Sequence, residues 1–241
     1  MTSKKLVSII IVTYNAEKDI GSCLKKLKLN INDSIEIIVV DGLSNDNTVS
    51  IINDYKDIIT VFISEKDSGI YDAMNKGIKL ATGDFIYFLG ADDELLINSQ
   101  ELSNILVDKN NIYYGDVVLS PSNKIYGGRF NTSKLINRNI CHQSIFYSAR
   151  VFEEFRYDNV YKYMADYALN LKLWASGRYD FVYLKEQIAV YSIVGLSSSN
   201  IDDKFKKDSF KFIYKYYGVY GVLIKMSNKL RNLIENKNLT I

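Results

Sequence analysis

The sequence has only two cysteines, one histidine and no long apolar segment. No run of about eighteen apolar residues occurs in the 241-residue chain, so we expect no membrane-spanning segment. Cys23 and Cys141 give neither a disulfide framework nor the ligand spacing of a zinc site. The apolar run near the N-terminus lacks a small-residue cleavage site, and we interpret it as a strand rather than a signal peptide. These absences predict a protein of the reducing cytoplasm.

Apolar runs alternate with helical periodicity through the first 95 residues. The pattern predicts strands at residues 6–12, 35–40, 59–64 and 85–89, and helices at 17–29, 48–55 and 70–81. This rhythm indicates a parallel sheet with right-handed crossovers. The later pattern is less regular and predicts a mixed or antiparallel region, with strands at 112–119, 124–130 and 181–191 and helices at 149–154 and 163–174.

The strand at 85–89 ends in an acidic sequence. Five apolar residues are followed by Gly90 and Ala91, and then by Asp92, Asp93 and Glu94. Adjacent carboxylates at the end of a buried strand are costly unless a positive charge lies beside them. A divalent cation that grips phosphate oxygens is the simplest partner. We therefore expect a metal-dependent phosphate site at this strand end.

Two other strands also end in polar residues. Thr13, Tyr14 and Asn15 follow the first strand, and Asp41 ends the second. Ligands of open α/β sheets bind at the carboxyl ends of the strands, so these residues are expected at the edge that carries Asp92. A hydroxyl, an aromatic ring and an amide suit a base and a sugar. No G-x-G-x-x-G follows the first strand, which argues against a dinucleotide site.

Several other residues have a functional and a structural interpretation. Asp166 falls in the first turn of the helix at 163–174, where the helix dipole alone favours an acid. His142 is either structural or a metal-site residue. The helix at 70–81 carries three polar residues that either face a ligand or cover the helix: Asp72, Asn75 and Lys76. Acids that compete with Asp166 are Asp158, Glu153 and Glu154.

The C-terminal region is basic and aromatic, and its pattern predicts two helical segments, at about 204–217 and 219–236, with hinges at Gly218 and Gly221. Residues 204–241 contain nine lysines and arginines, opposed by Asp208 and Glu235 alone, with phenylalanines and tyrosines between them. A nucleic-acid-binding role would need a folded reader module, which the sequence lacks. The remaining interpretations are an interfacial helix on an anionic membrane and a helix pair packed on the domain. The loop at 195–200 is either a lid over a bound ligand or an ordinary linker.

Four motifs, in this order, resemble family 2 glycosyltransferases of the GT-A fold, in particular bacterial O-antigen and capsule polysaccharide transferases. They are the strand ending in Thr13-Tyr14-Asn15, the segment from Val39 to Thr48, the segment from Asp67 to Gly77, and the strand entering Gly90-Ala91-Asp92-Asp93. The resemblance spans residues 6–200. It implies an α/β fold with a mostly parallel, Rossmann-like sheet flanked by helices. Residues 1–203 would form the GT-A domain and residues 204–241 a helical extension.

The resemblance also implies an activity. An inverting, metal-dependent enzyme would move a sugar from a nucleotide-sugar, with a UDP-sugar expected, to a hydroxyl of a glycan or of a polyprenyl-diphosphate-linked acceptor in surface polysaccharide biosynthesis. The enzyme would work at the inner membrane face, with peripheral contact through residues 204–241 and no nucleic-acid partner. Asp166 would be the catalytic base, and Asp93, Asp92 and His142 would bind Mn²⁺ or Mg²⁺. The donor would contact Thr13, Tyr14, Asn15, Asp41, Asp72, Lys76 and Asp92.

Two positions depart from the family pattern. Gly42 stands where many relatives carry a second acid after Asp41, and Gly90 stands at the first acidic position of the metal motif. The metal role therefore moves to Asp92 and Asp93. A protein of the same fold that binds a nucleotide or a glycan without catalysis is the alternative. A sugar-1-phosphate nucleotidyltransferase would need a Gly-rich loop after the first strand, and Thr13-Tyr14-Asn15-Ala16-Glu17 is not one.

Overall fold

A computed structural model describes residues 4–193 and 202–238 of the chain, with side chains described as far as residue 231. The predicted lid or linker at 195–200 lies outside the described residues. Within the described ranges, no helix combines the length and the apolarity that a bilayer crossing would require.

The first half of the chain alternates strands and helices as the sequence predicts. Its elements are β1 (Val7–Thr13), α1 (Ile20–Asn30), β2 (Ile35–Asp41), α2 (Thr48–Asn53), β3 (Val61–Ser64), α3 (Ile70–Leu80) and β4 (Phe85–Gly90). Helix α1 begins three residues later than predicted. The amides of Asp19 and Ile20 both donate to the carbonyl of Ala16, so a turn precedes the helix.

The second half adds short elements around a long pair of strands. Its elements are β5 (Glu94–Leu95), α4 (Ser99–Ile105), β6 (Asn111–Ser120), β7 (Lys124–Tyr126), α5 (Thr132–Asn137), a 3-10 turn (His142–Ser144), β8 (Ile145–Ser148), α6 (Val151–Glu154), α7 (Ala165–Ser176), β9 (Asp180–Ser192) and α8 (Asp203–Asn238). The strand predicted at 124–130 stops at Tyr126, because Gly127 and Gly128 take φ values of 151° and 77°. Helices α4 and α5 were not predicted.

One sheet links all the described strands. Its order is β3-β2-β1-β4-β8-β6-β9-β5, with β7 paired to β6. Strands β1 to β4 are parallel, β8 is antiparallel to both β4 and β6, and β9 is parallel to β6. The first half is therefore parallel and the second half mixed, as expected. The same edge receives the carboxyl ends of β1, β2, β4, β6 and β9 and the start of β8.

The sheet is buried on both faces by alternating side chains. Ile10 and Phe88 pack into one apolar cluster with helices α3, α5, α6, α7 and α8. Ile9 and Leu89 pack into a second cluster on the opposite face, with α1, α2 and α4. This alternation explains the unbroken apolar runs in the sequence, because a strand covered on both faces has no solvent side.

Helix α8 consists of two segments that meet at Gly218. Gly218 has φ 63° and ψ −158°, which confirms the predicted hinge there. Gly221, the second predicted hinge, is helical and packs closely against Ile213 and Tyr217, so the prediction at Gly221 is wrong. The Nζ atom of Lys225 lies 5.9 Å from the Phe210 ring centroid, whereas fifteen residues of straight helix would span about 22 Å. The second segment therefore folds back along the first.

A buried glutamate anchors the turn that leads into β4. Glu36 Oε1 accepts hydrogen bonds from Ser8 Oγ at 2.5 Å, from the Thr82 amide at 2.6 Å and from the Gly83 amide at 3.1 Å. Its Oε2 accepts from Thr82 Oγ1 at 2.8 Å. Glu36 is 3% exposed, so its loss would leave buried donors without an acceptor.

We predict that Glu36→Ala lowers the free energy of unfolding by about 3 kcal/mol in urea denaturation. The matched control is Glu154→Ala, which removes an exposed glutamate paired with Arg178 and should cost less than about 1 kcal/mol. Equal losses for the two variants would contradict the anchoring role of Glu36.

Candidate active site

The sheet register brings three polar strand ends together. Thr13 lies directly opposite Asp41 in the β1–β2 pair, and Gly90 lies opposite Val12 in the β1–β4 pair. The tip of β4 therefore extends beside Thr13 at the carboxyl edge of the parallel strands. The predicted common edge for Thr13, Asp41 and Asp92 is confirmed.

The tip of β4 holds one exposed and one buried carboxylate. Asp92 is exposed, whereas Asp93 is only 4% exposed. Asp93 Oδ1 accepts a hydrogen bond from the Ser192 amide at 2.9 Å, at the end of β9. Asp93 Oδ2 is buried and has no hydrogen-bond partner. A Cβ atom on Gly90 would collide with this oxygen, so glycine makes room for the carboxylate.

Burial raises the pKa of Asp93 to about 7. The Ser192 amide and the Gln143 side chain act to lower this pKa, and the charge of Asp92 acts to raise it further. A carboxyl with a buried, unpartnered oxygen is stabilised either by a proton or by a cation. The unpartnered oxygen of Asp93 therefore suits a hard divalent cation, which prefers carboxylate oxygen.

The 3-10 turn at the start of β8 lies at the same edge. The His142 ring stacks on Phe88 with 5.3 Å between centroids, and its Nε2 is buried without a partner. Burial lowers the pKa of His142, which keeps the ring neutral. Among the described residues, no three His, Cys, Asp or Glu side chains converge as a metal-binding group, so Asp92, Asp93 and His142 do not form one. Mg²⁺ commonly uses one or two carboxylates, completed by waters and substrate phosphates.

Some polar residues at the ends of β1 and β2 have hydrogen-bond partners in the protein and others do not. The Tyr14 side chain is 56% exposed, and Thr13 Oγ1 is buried without a partner. Asp41 is fully buried, and its carboxylate accepts hydrogen bonds from the Ser44 amide, from Ser44 Oγ and from Ser64 Oγ. Asn15 Oδ1 accepts from the Asn45 amide at 2.9 Å. Asp41 and Asn15 thus hold the loops in place through hydrogen bonds, whereas the Tyr14 ring is exposed and the Thr13 hydroxyl has no partner. The predicted contacts of these four residues with a donor stay predictions.

Asp72 and Lys76 hold the loop before α3. Asp72 Oδ2 accepts from the Ser68 amide at 3.0 Å, and this bond lowers the pKa of Asp72. Lys76 Nζ lies 2.8 Å from Glu65 Oε1 and donates to the Lys66 carbonyl at 2.7 Å. Both side chains therefore fix the segment 65–69, and their predicted contact with a donor is not tested.

Asp166 lies at the start of α7 in a buried hydrogen-bond network. Its Oδ1 accepts from the Tyr71 hydroxyl at 2.7 Å, and its Oδ2 accepts from Asn139 Nδ2 at 2.7 Å. Asn170 Nδ2 donates in turn to Asn139 Oδ1 at 3.0 Å. Burial raises the pKa of Tyr71 well above its ordinary value, so the hydroxyl stays protonated and donates. The network fixes the Asp166 carboxylate in one orientation.

The competing acids lack such an environment. Asp158 Oδ1 caps an exposed turn through the Val160 amide at 3.1 Å, and Glu154 pairs with Arg178 at the surface. Glu153 is exposed. Burial raises the pKa of Cys141, and the charges of Asp93 and Asp166 both act in the same direction. Cys141 therefore lies within electrostatic range of both carboxylates.

Sequence reasoning missed the residues that hold Asp166. Tyr71 lies in the motif from Asp67 to Gly77, but a tyrosine in an amphipathic helix is ordinarily interpreted as a core residue. Asn139 and Asn170 carried no signal, since their contacts join the segment after α5, helix α7 and strand β8, and the two asparagines are 31 residues apart in the chain. Gln143, the neighbour of His142, carried no signal of its own, although its side chain acts to lower the pKa of Asp93.

A mostly parallel α/β sheet flanked by helices, with an acidic strand tip at its carboxyl edge, is the arrangement of the GT-A class of glycosyltransferases. A sequence model of glycosyl transferase family 2 matches residues 8–161. The chain belongs to this family and is a transferase.

Relatives of this chain include enzymes of glycan and glycolipid assembly. A PGL/p-HBAD biosynthesis glycosyltransferase of Mycobacterium tuberculosis is 33% identical over 213 residues, covering 84% of this chain and 83% of the relative. The Escherichia coli UDP-Glc:alpha-D-GlcNAc-diphosphoundecaprenol beta-1,3-glucosyltransferase WfgD is 34% identical over 125 residues, covering 51% of this chain and 49% of the relative.

Solved structures share the fold at low identity. TarS of Staphylococcus aureus has a TM-score of 0.69 at 18% identity, and the match covers 91% of this chain but only 42% of TarS. A 1-349 fragment of TarS in complex with UDP-GlcNAc has a TM-score of 0.67 at 18% identity, covering 91% of this chain and 70% of the fragment. A mannosyltransferase of Pyrobaculum calidifontis, in complex with GDP-Man and Mn²⁺, has a TM-score of 0.65 at 15% identity, covering 94% and 74% of the two chains.

We predict that Asp93→Asn stabilises the metal-free protein at pH 8 by about 1–3 kcal/mol and removes any stabilisation by Mn²⁺. The folded pKa of Asp93 is about 7, so ionisation costs the metal-free fold stability as the pH rises from about 3.9 to about 7. Mn²⁺ should therefore raise the melting temperature of the wild type more at pH 8 than at pH 6. Asp92→Asn, at an exposed position, is the control and should change metal-free stability by less than about 0.5 kcal/mol.

We predict that Tyr71→Phe lowers kcat about tenfold while leaving donor binding unchanged, because Asp166 loses one of the two donors that orient it. Steady-state kinetics and calorimetry with the donor measure the two effects. Tyr217→Phe removes a comparable hydrogen bond to the Leu171 carbonyl, away from Asp166, and should keep the wild-type kcat. Equal kcat values for the two variants would exclude a positioning role for Tyr71.

Proposed function

We propose that this protein is an inverting, metal-dependent glycosyltransferase. It would move a sugar from a nucleotide-sugar, with UDP-sugar as the expected donor, to a hydroxyl of a glycan or lipid-linked oligosaccharide. The proposal rests on the different surroundings of two carboxylates. Asp93 has a buried oxygen without a partner, and Asp166 is held between two donors. The first suits a cation and the second suits a positioned base.

The donor would bind along the ends of β1 and β4. The exposed Tyr14 ring offers a face on which a base can stack, and Thr13 Oγ1 lacks a partner. Asp92, exposed beside Asp93, is suited to accept hydrogen bonds from ribose hydroxyls. Mn²⁺ or Mg²⁺ bound by Asp93, with Asp92 as a second carboxylate ligand, would stabilise the charge on the departing nucleoside diphosphate.

The acceptor would be activated by Asp166. A sugar hydroxyl is a poor nucleophile until a base takes its proton, and a positioned carboxylate typically contributes about 10²–10⁴-fold. Tyr71 and Asn139 hold the Asp166 carboxylate so that its remaining lone pairs can receive that proton. Attack from the face opposite the leaving diphosphate is a single displacement, which inverts the anomeric centre.

The comparisons support the choice of donor and acceptor classes. The Escherichia coli relative is named for UDP-Glc and for a GlcNAc-diphosphoundecaprenol, and the TarS fragment was solved with UDP-GlcNAc. The Pyrobaculum enzyme was solved with Mn²⁺. We therefore propose a polyprenyl-diphosphate-linked or related glycan acceptor in surface polysaccharide biosynthesis of the O-antigen type. The enzyme would then act at the cytoplasmic face of the membrane, with peripheral contact through residues 204–241.

A screen of nucleotide sugars by calorimetry, with and without Mn²⁺, tests the donor assignment. We expect at least one UDP-sugar to bind more tightly when Mn²⁺ is present, and donor turnover to release the nucleoside diphosphate. Binding without any turnover in the presence of acceptor glycans would favour the alternative, a transferase-like protein that binds without chemistry. Donor affinity that does not depend on metal would contradict the proposed role of Asp93.

We predict that Asp166→Asn reduces transfer by about 10²–10⁴-fold with donor affinity unchanged, because the amide keeps the shape of the carboxylate but cannot take the proton. The measurement is kcat with the best donor from the screen, beside calorimetry for donor binding. Asp158→Asn is the matched control on a nearby exposed acid and should keep the wild-type rate. A near-normal rate for Asp166→Asn would move the base elsewhere.

A further inference from the structure

Helix α8 has an exposed apolar stripe on its second segment. Val219, Leu223, Met226 and Leu230 are 63%, 59%, 54% and 61% exposed. With about 100° of rotation per residue, the four fall within about 60° of arc. The residues that face the opposite way, Gly221, Ile224, Lys225 and Asn228, are buried or partly buried. The stripe therefore points directly away from the domain.

The surroundings of the stripe are basic and aromatic. Lys229 and Arg231 are exposed on either side of it, and Tyr220 is 69% exposed at its margin. The sequence has no acidic residue from 209 to 234. An apolar stripe bordered by cations and a tyrosine complements an anionic lipid surface.

We propose that this stripe, defined by Val219, Leu223, Met226 and Leu230, binds the surface of an anionic phospholipid bilayer. The proposal rests on the proposed function, because a lipid-linked acceptor would be presented at such a surface. It specifies which face of the C-terminal extension meets the lipid. The four side chains enter the boundary between headgroups and acyl chains, while Lys229 and Arg231 pair with lipid phosphates.

The fold connects this stripe to the candidate base. The Phe205 ring, at the start of α8, lies 5.3 Å from the ring of Tyr167, which follows Asp166 in α7. A polar cleft of about 500 Å³ separates the second segment of α8 from α5, and its lining includes Lys134, Arg138 and Asn228. Helix α5 leads directly to Asn139, which donates to Asp166. The helix that carries the stripe therefore packs against the elements that hold Asp166.

Vesicle flotation of the full chain tests the proposal. The wild type should float with vesicles containing phosphatidylglycerol and bind at least tenfold more weakly to pure phosphatidylcholine. The triple variant Leu223→Ser, Met226→Ser and Leu230→Ser should bind the anionic vesicles about tenfold more weakly than the wild type. The matched control replaces three apolar residues of similar exposure elsewhere, Leu29, Val107 and Val160, by serine, and should bind as the wild type does.

Three results would overturn the proposal. The first is a wild type that does not bind anionic vesicles. The second is a stripe variant that binds them as tightly as the control variant, which would leave charge alone as the cause. The third is a wild-type dimer in analytical ultracentrifugation that the stripe variant dissociates, which would assign the stripe to a second copy of the chain.

The activity of the stripe variant separates this proposal from the proposed function. None of the replaced residues belongs to the candidate site, so transfer to a soluble acceptor should equal that of the wild type. Loss of transfer in every protein, with flotation intact, would count against the proposed function and leave the membrane surface standing. Intact transfer by a wild type that does not float with anionic vesicles would count against the membrane surface and leave the proposed function standing.

Discussion

The buried carboxylate of Asp93 is the constraint on which the site depends. Strand β4 places it in a region that excludes water. One oxygen accepts a hydrogen bond from the Ser192 amide of β9, and the other has no hydrogen-bond partner. Such a group is costly in isolation, and burial raises its pKa to about 7. Glycine at position 90 is what permits the carboxylate to lie there. The strand tip is therefore less stable than it could be, and a bound cation would recover that stability.

The sheet topology explains why chemistry concentrates at one edge. Parallel strands bring the ends of β1, β2 and β4 together, and the antiparallel β8 adds its beginning to the same edge. Asp166 is fixed by contacts from α3 and from the segment after α5. The residues proposed to bind the donor and the proposed base thus come from different elements of the fold.

The parallel half of the sheet and its acidic edge were predictable from local pattern. Unbroken apolar runs indicate strands buried on both faces, and the register then fixes Thr13 beside Asp41. The network around Asp166 was not predictable, because its members are far apart in sequence and look like ordinary core or helix-surface residues. Helix α4 could have been predicted from the capping box that Asn98 and Glu101 form. The early end of β7 depends instead on the φ values of Gly127 and Gly128. For Asp41, the sequence could not reveal that Ser44 and Ser64 occupy its carboxylate.

The most direct test of the central claim is anomalous diffraction from crystals grown with Mn²⁺ and UDP. The account predicts a manganese peak bonded to Asp93 Oδ2, with diphosphate oxygens completing its coordination and the uracil near Tyr14. UDP bound at this edge without a metal peak, or manganese bound away from Asp93, would contradict the account.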